Sequence, residues 1–221
     1  LFPYTTLFRS LNEQLCILTA KAIGIETPDS FIVNVGQGED SDILYATKRY
    51  DRVFSEKDLS GLPLPYRLHQ EDFSQALSIA SADKYELEDR GYLSKMMEAI
   101  RFNCADPLKE QNKLWKMVCF NYLIGNTDGH IKNYSLLYDT NLKGIKLAPA
   151  YDIVSTRVYN MTNNMSFYIG GQLDIEKINR NNFEAAAKQI GLPTKLAMNI
   201  FDEMFYFLHF HKSNNIYNFH L

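Results

Sequence analysis

The segment from Pro107 to Asp152 constrains the fold more than any other part of the sequence. It opens with an apolar helix, PLKEQNKLWKMVCFNYLIG, which Asp106 can cap and in which Pro107 takes the first helical position. A polar loop, GNTDGHIKN, follows directly. Two β-rich runs, YSLLYD and IKLAPAYD, then flank the turn TNLKG. The sequence therefore predicts a helix, a polar loop and a hairpin in direct succession.

Both ends of the predicted hairpin carry carboxylate or amide groups. Asp128 and Asn133 lie five positions apart before the first strand, and Tyr151 and Asp152 follow the second. Phosphoryl transfer from ATP needs an acceptor for the substrate hydroxyl proton and oxygen ligands for magnesium ions. Asp128 can supply the first, and Asn133 and Asp152 can supply the second. The Asp-x-x-x-x-Asn spacing is that of the protein-kinase catalytic loop.

Each feature also has a structural interpretation. The Asn, Asp and Gly residues around Asp128 could form a simple turn, and a lone Asp-x-x-x-x-Asn occurs by chance. The hairpin and the second Asp in the same order favour a site. His130 alone is more often a structural histidine, and Lys132 could contact either the transferred phosphate or a nearby carboxylate. His209 and His211 are two positions apart, which is poor spacing for a metal site on a helix.

Composition limits the class of protein. The chain has 221 residues, 46% hydrophobic and 13% aromatic, enough for the core of one large or two small domains. A net charge of -3 does not favour general nucleic-acid binding. Three distant cysteines without CxxC spacing predict buried thiols in a reducing, cytoplasmic protein, and no apolar run reaches the length of a membrane span.

The rest of the chain also shows periodic segments. Leu11, Leu15, Leu18 and Ala22 have helical spacing, and Gly24 is placed to end that helix. FIVNV and ILYATKRY predict a hairpin, and SGLPLPY predicts a proline-containing loop. Helices are predicted for EDFSQALSIA, for much of YELEDRGYLSKMMEAI and for the segment after Asp152, including FEAAAKQIG and TKLAMNIFDEMFYFLHFH.

Four ordered blocks resemble the HipA-like serine/threonine kinases, the toxins of bacterial toxin–antitoxin modules. They are NEQLCILTAKAIGI, then KRYDR, then RLHQEDFSQAL with KYE, then GNTDGHIKN followed by LAPAYDIVST. The resemblance implies an α+β, protein-kinase-like fold with a mostly helical C-terminal lobe and a partial N-terminal lobe hairpin. It also implies ATP and Mg²⁺ as cofactors. The implied partners are a protein substrate such as an aminoacyl-tRNA synthetase and a HipB-like helix-turn-helix antitoxin, through which DNA is contacted only indirectly.

The resemblance also implies roles for individual residues. Asp128 corresponds to the catalytic base, and Asn133 and Asp152 correspond to the magnesium ligands. The implied nucleotide-site residues are Lys48 and Tyr50 in the hinge segment KRYDR, Gln70, His130 and Tyr151.

The start of the chain does not fit this pattern. Residues 1–10, LFPYTTLFRS, show no clear period, and we expect them to be non-native. Residues 11–52 then form a remnant of the N-terminal lobe with the hinge, and 53–221 form the helical kinase lobe with the catalytic loop. The family's phosphate-covering loop and phosphate-binding lysine lie upstream of the first helix, and Lys21 and Lys48 are not convincing substitutes. Two function classes stay open: an ATP-dependent protein kinase, or a catalytically inactive nucleotide- or antitoxin-binding module.

Overall fold

The fold begins with a helix packed on a hairpin. The computed structural model describes residues 8–37, 42–57, 63–159 and 161–210. Helix α1 (Arg9–Ala22) packs against strands β1 (Ser30–Asn34) and β2 (Ile43–Thr47), which pair antiparallel. Gly24 follows with a φ of 77°, which confirms the predicted end of the helix. The helix starts at Arg9, inside the segment in which the sequence shows no period.

A second hairpin replaces part of a predicted loop. Strand β3 (Arg52–Lys57) pairs antiparallel with β4 (Pro63–Arg67), so the loop prediction for SGLPLPY is wrong from Pro63 onward, whereas its first three residues lie outside the described part. Each strand of a two-stranded sheet has a free edge. Proline lacks only the N–H donor, so it is tolerated where that edge needs no ladder bond.

The third sheet contains the hairpin predicted after the polar loop. Strands β5 (Gln70–Asp72), β6 (Ser135–Tyr138) and β7 (Ile145–Leu147) are antiparallel with β6 in the centre, which confirms that hairpin and adds β5 to it. Helix α2 (Phe73–Ala76) is a single turn capped by the Asp72 side chain. The longer helix predicted for EDFSQALSIA is therefore wrong, because its first residues pair with β6 and Ser78 takes a φ of 53°.

Four longer helices form the helical lobe: α3 (Tyr92–Asn103), α4 (Pro107–Leu123), α5 (Arg180–Gln189) and α6 (Thr194–Phe210). The Asp106 side chain accepts from Lys109 N at 3.3 Å, as the predicted cap of α4 requires. Buried Trp115 donates its indole N–H to Ala197 O at 2.9 Å and so joins α4 to α6. Helix α3 starts only after Gly91, later than predicted.

A fourth hairpin lies where only helices were predicted. Strands β8 (Asn164–Ile169) and β9 (Gln172–Asp174) are joined by Gly170 and Gly171, whose φ angles are 54° and 77°. A two-residue turn with positive φ at both positions matches the right-handed twist of a hairpin. A side chain at Gly170 is also excluded, because its Cβ would lie 2.0 Å from Asn182 O. This Gly-Gly pair was the signal that the sequence-based interpretation missed.

Short 3-10 turns complete the chain at Ser81–Asp83, Ile131–Asn133 and Arg157–Tyr159. The buried core runs from α1 through α3 and α4 to α6, and it includes the three free cysteines, as predicted. Within the described residues, no helix is long and apolar enough to cross a membrane.

Candidate active site

A glycine turns the chain sharply at the end of α4. Gly125 has a φ of 72°, and a Cβ at this position would lie 2.7 Å from Cγ of Arg157. Glycine is therefore required for both conformation and space. The next residue, Asn126, returns its backbone N–H to Asn121 O at 2.8 Å. The polar loop is thus held against the last turn of the helix.

Three buried side chains fix the loop from below. Asn126 Nδ2 donates to Asn121 Oδ1 at 3.0 Å, and Asn121 Nδ2 donates to the Tyr134 hydroxyl at 2.8 Å. The remaining amide oxygen of Asn126 accepts from Asp128 N at 3.1 Å. Since buried amides are costly unless they are bonded, this network specifies one conformation of the loop.

The structure brings Asp128 and Asn133 into contact. The carbonyl oxygen of Asp128 accepts from His130 N at 2.8 Å and from Asn133 Nδ2 at 3.1 Å. Asn133 lies at the end of a 3-10 turn and is buried. Because Nδ2 is bonded to the backbone, Oδ1 is the side-chain atom that could bind a cation.

Asp152 lies in a left-handed backbone conformation beside the same loop. Its φ is 53°, and it is exposed, between Tyr151 and buried Ile153. Burial raises the pKa of Tyr85, and so do its hydrogen bond to Asp128, the charge of Asp128 and the charge of Asp152. Both carboxylates therefore raise the pKa of the same phenol.

The predicted nucleotide residues are only partly brought together. The rings of Tyr50 and Tyr151 are stacked with centroids 5.9 Å apart, and the Tyr151 hydroxyl donates to Lys132 O at 2.8 Å. Burial raises the pKa of Tyr50 to about 12, while a hydrogen bond with Gln70 opposes this rise. Lys48, in contrast, is exposed just after β2.

Tyr50 also lines a cavity of about 420 Å³ together with apolar residues such as Leu68 and Leu137. Asp128 and Asn133 are not among the residues lining this cavity. The cavity beside Tyr50 is thus separate from the polar loop that carries Asp128 and Asn133.

Two further side chains contact the predicted site residues, and the sequence analysis gave them no role. The Tyr85 hydroxyl donates to Asp128 Oδ1, and Lys84 Nζ lies 2.9 Å from His130 Nε2. The Tyr85 and His130 rings are edge-on with centroids 5.2 Å apart. Lys84 and Tyr85 belong to the KYE block, so the motif was visible in the sequence, but nothing in it told which loop these side chains contact.

His130 is buried, and its surroundings lower the pKa of its ring. Burial and the nearby charge of Lys84 lower its pKa, whereas the charges of Asp128 and Asp152 oppose this. An ammonium group has donors only, so Nε2 is the acceptor of the bond from Lys84, while the buried Nδ1 has no hydrogen-bond partner among the described residues.

Lys132 and His209 each have a partner within the protein. Lys132 Nζ donates to the Ser81 hydroxyl at 2.9 Å. His209 Nδ1 lies 2.9 Å from Phe205 O, and His211 lies outside the described residues. In the part of the chain that the structure describes, no cluster of three His, Cys, Asp or Glu side chains could hold a metal by itself.

The donor set nevertheless fits a magnesium ion shared with a nucleotide. Mg²⁺ is commonly held by one or two carboxylates together with substrate phosphates, and it retains several waters. Asp152 offers a carboxylate and Asn133 an amide oxygen. On α1, burial raises the pKa of Glu13 to about 7; the charge of Asp152 adds to this rise and the charge of Arg9 opposes it.

Comparison with known proteins identifies the family. The model of the HipA-like C-terminal domain matches residues 3–208. The chain belongs to this family. It is 33% identical over 195 residues to "Putative kinase Y4mE" of Sinorhizobium fredii, which covers 87% of this chain and 43% of that protein. The Shewanella oneidensis serine/threonine-protein kinase toxin HipA is 26% identical over 200 residues, covering 84% of this chain and 43% of that protein.

Solved structures give the same fold. The chain matches Shewanella oneidensis HipA, solved in complex with HipB and operator DNA, with a TM-score of 0.77 at 24% identity, over 90% of this chain and 47% of that one. A proinflammatory kinase of Helicobacter pylori, CtkA, matches with a TM-score of 0.54 at 16% identity, over 92% of this chain and 84% of that one. The fold is therefore α+β and kinase-like. The chain spans less than half the length of the curated relatives named above.

Proposed function

We propose that this chain belongs to an ATP-dependent serine/threonine protein kinase of the HipA toxin type, with Asp128 as the catalytic base. The observation that carries the proposal is the contact between Asn133 Nδ2 and the Asp128 carbonyl, which ties the proposed metal ligand to the proposed base. The charges of Asp128 and Asp152, which both act on Tyr85, support one shared site.

In the proposed reaction, an Asp128 carboxylate oxygen accepts the proton of a serine or threonine hydroxyl. The hydroxyl oxygen forms a bond to the γ-phosphorus of ATP, and the bond from that phosphorus to the bridging oxygen of ADP breaks. Asn133 and Asp152 would hold Mg²⁺, which neutralises charge on the phosphates when it is bound. The Tyr50–Tyr151 stack and Gln70 would contact the nucleotide. His130 would lie beside the catalytic base Asp128, and Lys48 would lie at the hinge.

The substrate and partner proposals rest on the family. The HipA relative of known structure is bound to HipB and operator DNA, which supports a HipB-like helix-turn-helix antitoxin as a partner here. DNA contact would then be indirect. A protein such as an aminoacyl-tRNA synthetase is the proposed substrate, in a cytoplasmic setting.

The alternative is a catalytically inactive module that binds nucleotide or antitoxin. It is favoured because neither Lys21 nor Lys48 is a convincing phosphate-binding lysine. Lys21 forms an exposed ion pair with Asp29 at 3.3 Å, and Lys48 is exposed. Phosphotransfer by the protein separates the two proposals.

The test compares wild type with Asp128→Asn, both prepared as the complete gene product. Asparagine keeps the shape and the Oδ1 acceptor but removes the base, so phosphate incorporation into a co-purified or candidate substrate should fall by roughly 10²- to 10⁴-fold. Thermal melting should be almost unchanged. Asp202→Asn, in a surface pair with Arg180, is the matched control and should retain activity. Full activity in Asp128→Asn would exclude the proposed role of this loop.

A further inference from the structure

A buried carboxylate anchors the segment that contacts the catalytic loop. Glu86 is 2% exposed, and its Oε1 accepts from Arg90 N at 2.7 Å and from Tyr92 N at 2.9 Å. Its Oε2 accepts from Tyr168 N at 2.9 Å, and its own backbone N–H donates to Ser166 O at 2.8 Å. These four hydrogen bonds fix the segment before α3 both to the start of that helix and to β8.

The anchor also reaches the catalytic loop through β8. Ser166, whose carbonyl accepts from Glu86, donates its hydroxyl to Thr127 O at 2.8 Å. Thr127 directly precedes Asp128. The segment and the loop are therefore held to the same strand, and the relative position of Tyr85 and Asp128 does not depend on the phenol alone.

From this anchored segment, Tyr85 reaches the proposed base. Its hydroxyl donates to Oδ1 of Asp128, while the backbone of Asp128 is fixed by Asn126 at its N–H and by Asn133 at its carbonyl. Lys84 Nζ lies 4.8 Å from the centroid of the Tyr85 ring, over its face. A cation over the ring and a buried anchor together restrict the phenol to one orientation.

We propose that Tyr85 is a positioning residue for phosphotransfer: its hydroxyl holds Asp128 Oδ1, so that Oδ2 faces the acceptor hydroxyl of the substrate. The inference rests on the proposed function and adds a residue to it. A carboxylate has two oxygens with about four acceptor positions, so one phenol leaves room for the substrate proton. Tyr85 keeps its own proton throughout, and the substrate proton passes to Oδ2.

The first arm of the test is Tyr85→Phe, which removes the hydroxyl and keeps the ring against His130. We expect kcat to fall roughly 10- to 100-fold with the KM for ATP and the thermal melt unchanged, because misplacement of a catalytic group affects the chemical step. Tyr168→Phe is the matched control: its hydroxyl lies 3.5 Å from Leu87 O, away from the loop, and it should behave as wild type.

The second arm is the double variant Tyr85→Phe/Asp128→Asn. If Tyr85 acts through Asp128, the double variant should be no slower than Asp128→Asn alone, since residues that act as a unit are not additive. A merely structural role would give an additional loss in that background.

Three results would overturn the inference while wild type remains active. The first two are an unchanged kcat in Tyr85→Phe and a faster turnover in Tyr85→Phe, which would mean that the phenol blocks the acceptor position. The third is a double variant in which the two losses of kcat are additive. A wild-type protein that transfers no phosphate would instead contradict the proposed function, and the inference would fall with it.

Discussion

Thr156 and Thr127 are joined by two hydrogen bonds that connect the segment after Asp152 to the polar loop before Asp128. Thr156 Oγ1 accepts from Thr127 N at 2.8 Å and lies 2.7 Å from Thr127 Oγ1. It donates its proton to Gly125 O at 3.0 Å, which leaves the Thr127 hydroxyl as the donor between the two side chains. The buried Thr156 hydroxyl therefore links residues that precede Asp128 to the segment that follows Asp152.

Replacing this hydroxyl by a methyl group should destabilise the protein. Thr156→Val keeps the shape but leaves Thr127 N–H and Gly125 O without this partner in a buried setting, so we expect a loss of about 1–3 kcal/mol in the free energy of unfolding. Denaturant unfolding measures it. Thr156→Ser should retain most of the stability, and Thr19→Val, which removes a hydroxyl bonded to Leu15 O on α1, should cost less. A Thr156→Val protein as stable as wild type would contradict the structural role.

The features that depend only on residues close together in the chain could be predicted from the sequence. The cap at Asp106, the end of α1 at Gly24 and the hairpin after GNTDGHIKN depend on neighbouring residues, and the structure has all three. Local signals of this kind are read directly from residue types and spacing.

The remaining elements depend on distant partners. Strand β5 exists because Gln70–Asp72 pair with β6, some 65 positions later in the chain, and no local period indicates that pairing. The Tyr85–Asp128 contact likewise joins residues 43 positions apart. The β8–β9 hairpin is the exception, since its Gly-Gly turn was a local signal that the helical interpretation overlooked.

A change at the proposed metal ligand should respond to magnesium. Asp152→Asn preserves the left-handed backbone, because asparagine tolerates positive φ. We expect weaker binding of ATP with Mg²⁺ together with slower phosphotransfer, and partial recovery of both at higher Mg²⁺ concentration. Calorimetry and phosphate incorporation at several Mg²⁺ concentrations measure these effects, with Asp202→Asn as the control. If added Mg²⁺ gives no recovery, Asp152 is not acting as a metal ligand.

The charge of Lys84 should control the protonation of His130. Burial and Lys84 lower the pKa of His130, so replacing the ammonium by a neutral chain in Lys84→Met should raise that pKa towards its ordinary value. The sign follows because a neighbouring positive charge disfavours the imidazolium form. The measurement is an NMR titration of the His130 ring protons, assigned with His130→Gln.

Two further variants make this titration decisive. Lys95→Met, which removes a lysine near the Tyr92 ring, should leave the pKa of His130 unchanged. Asp128→Asn should lower that pKa further, because the carboxylate charge favours the imidazolium. Opposite shifts in Lys84→Met and Asp128→Asn would show that His130 lies between a cation and an anion, as the 2.9 Å contact with Lys84 requires. Unchanged titration in Lys84→Met would place Lys84 away from His130 in solution and remove it from the site.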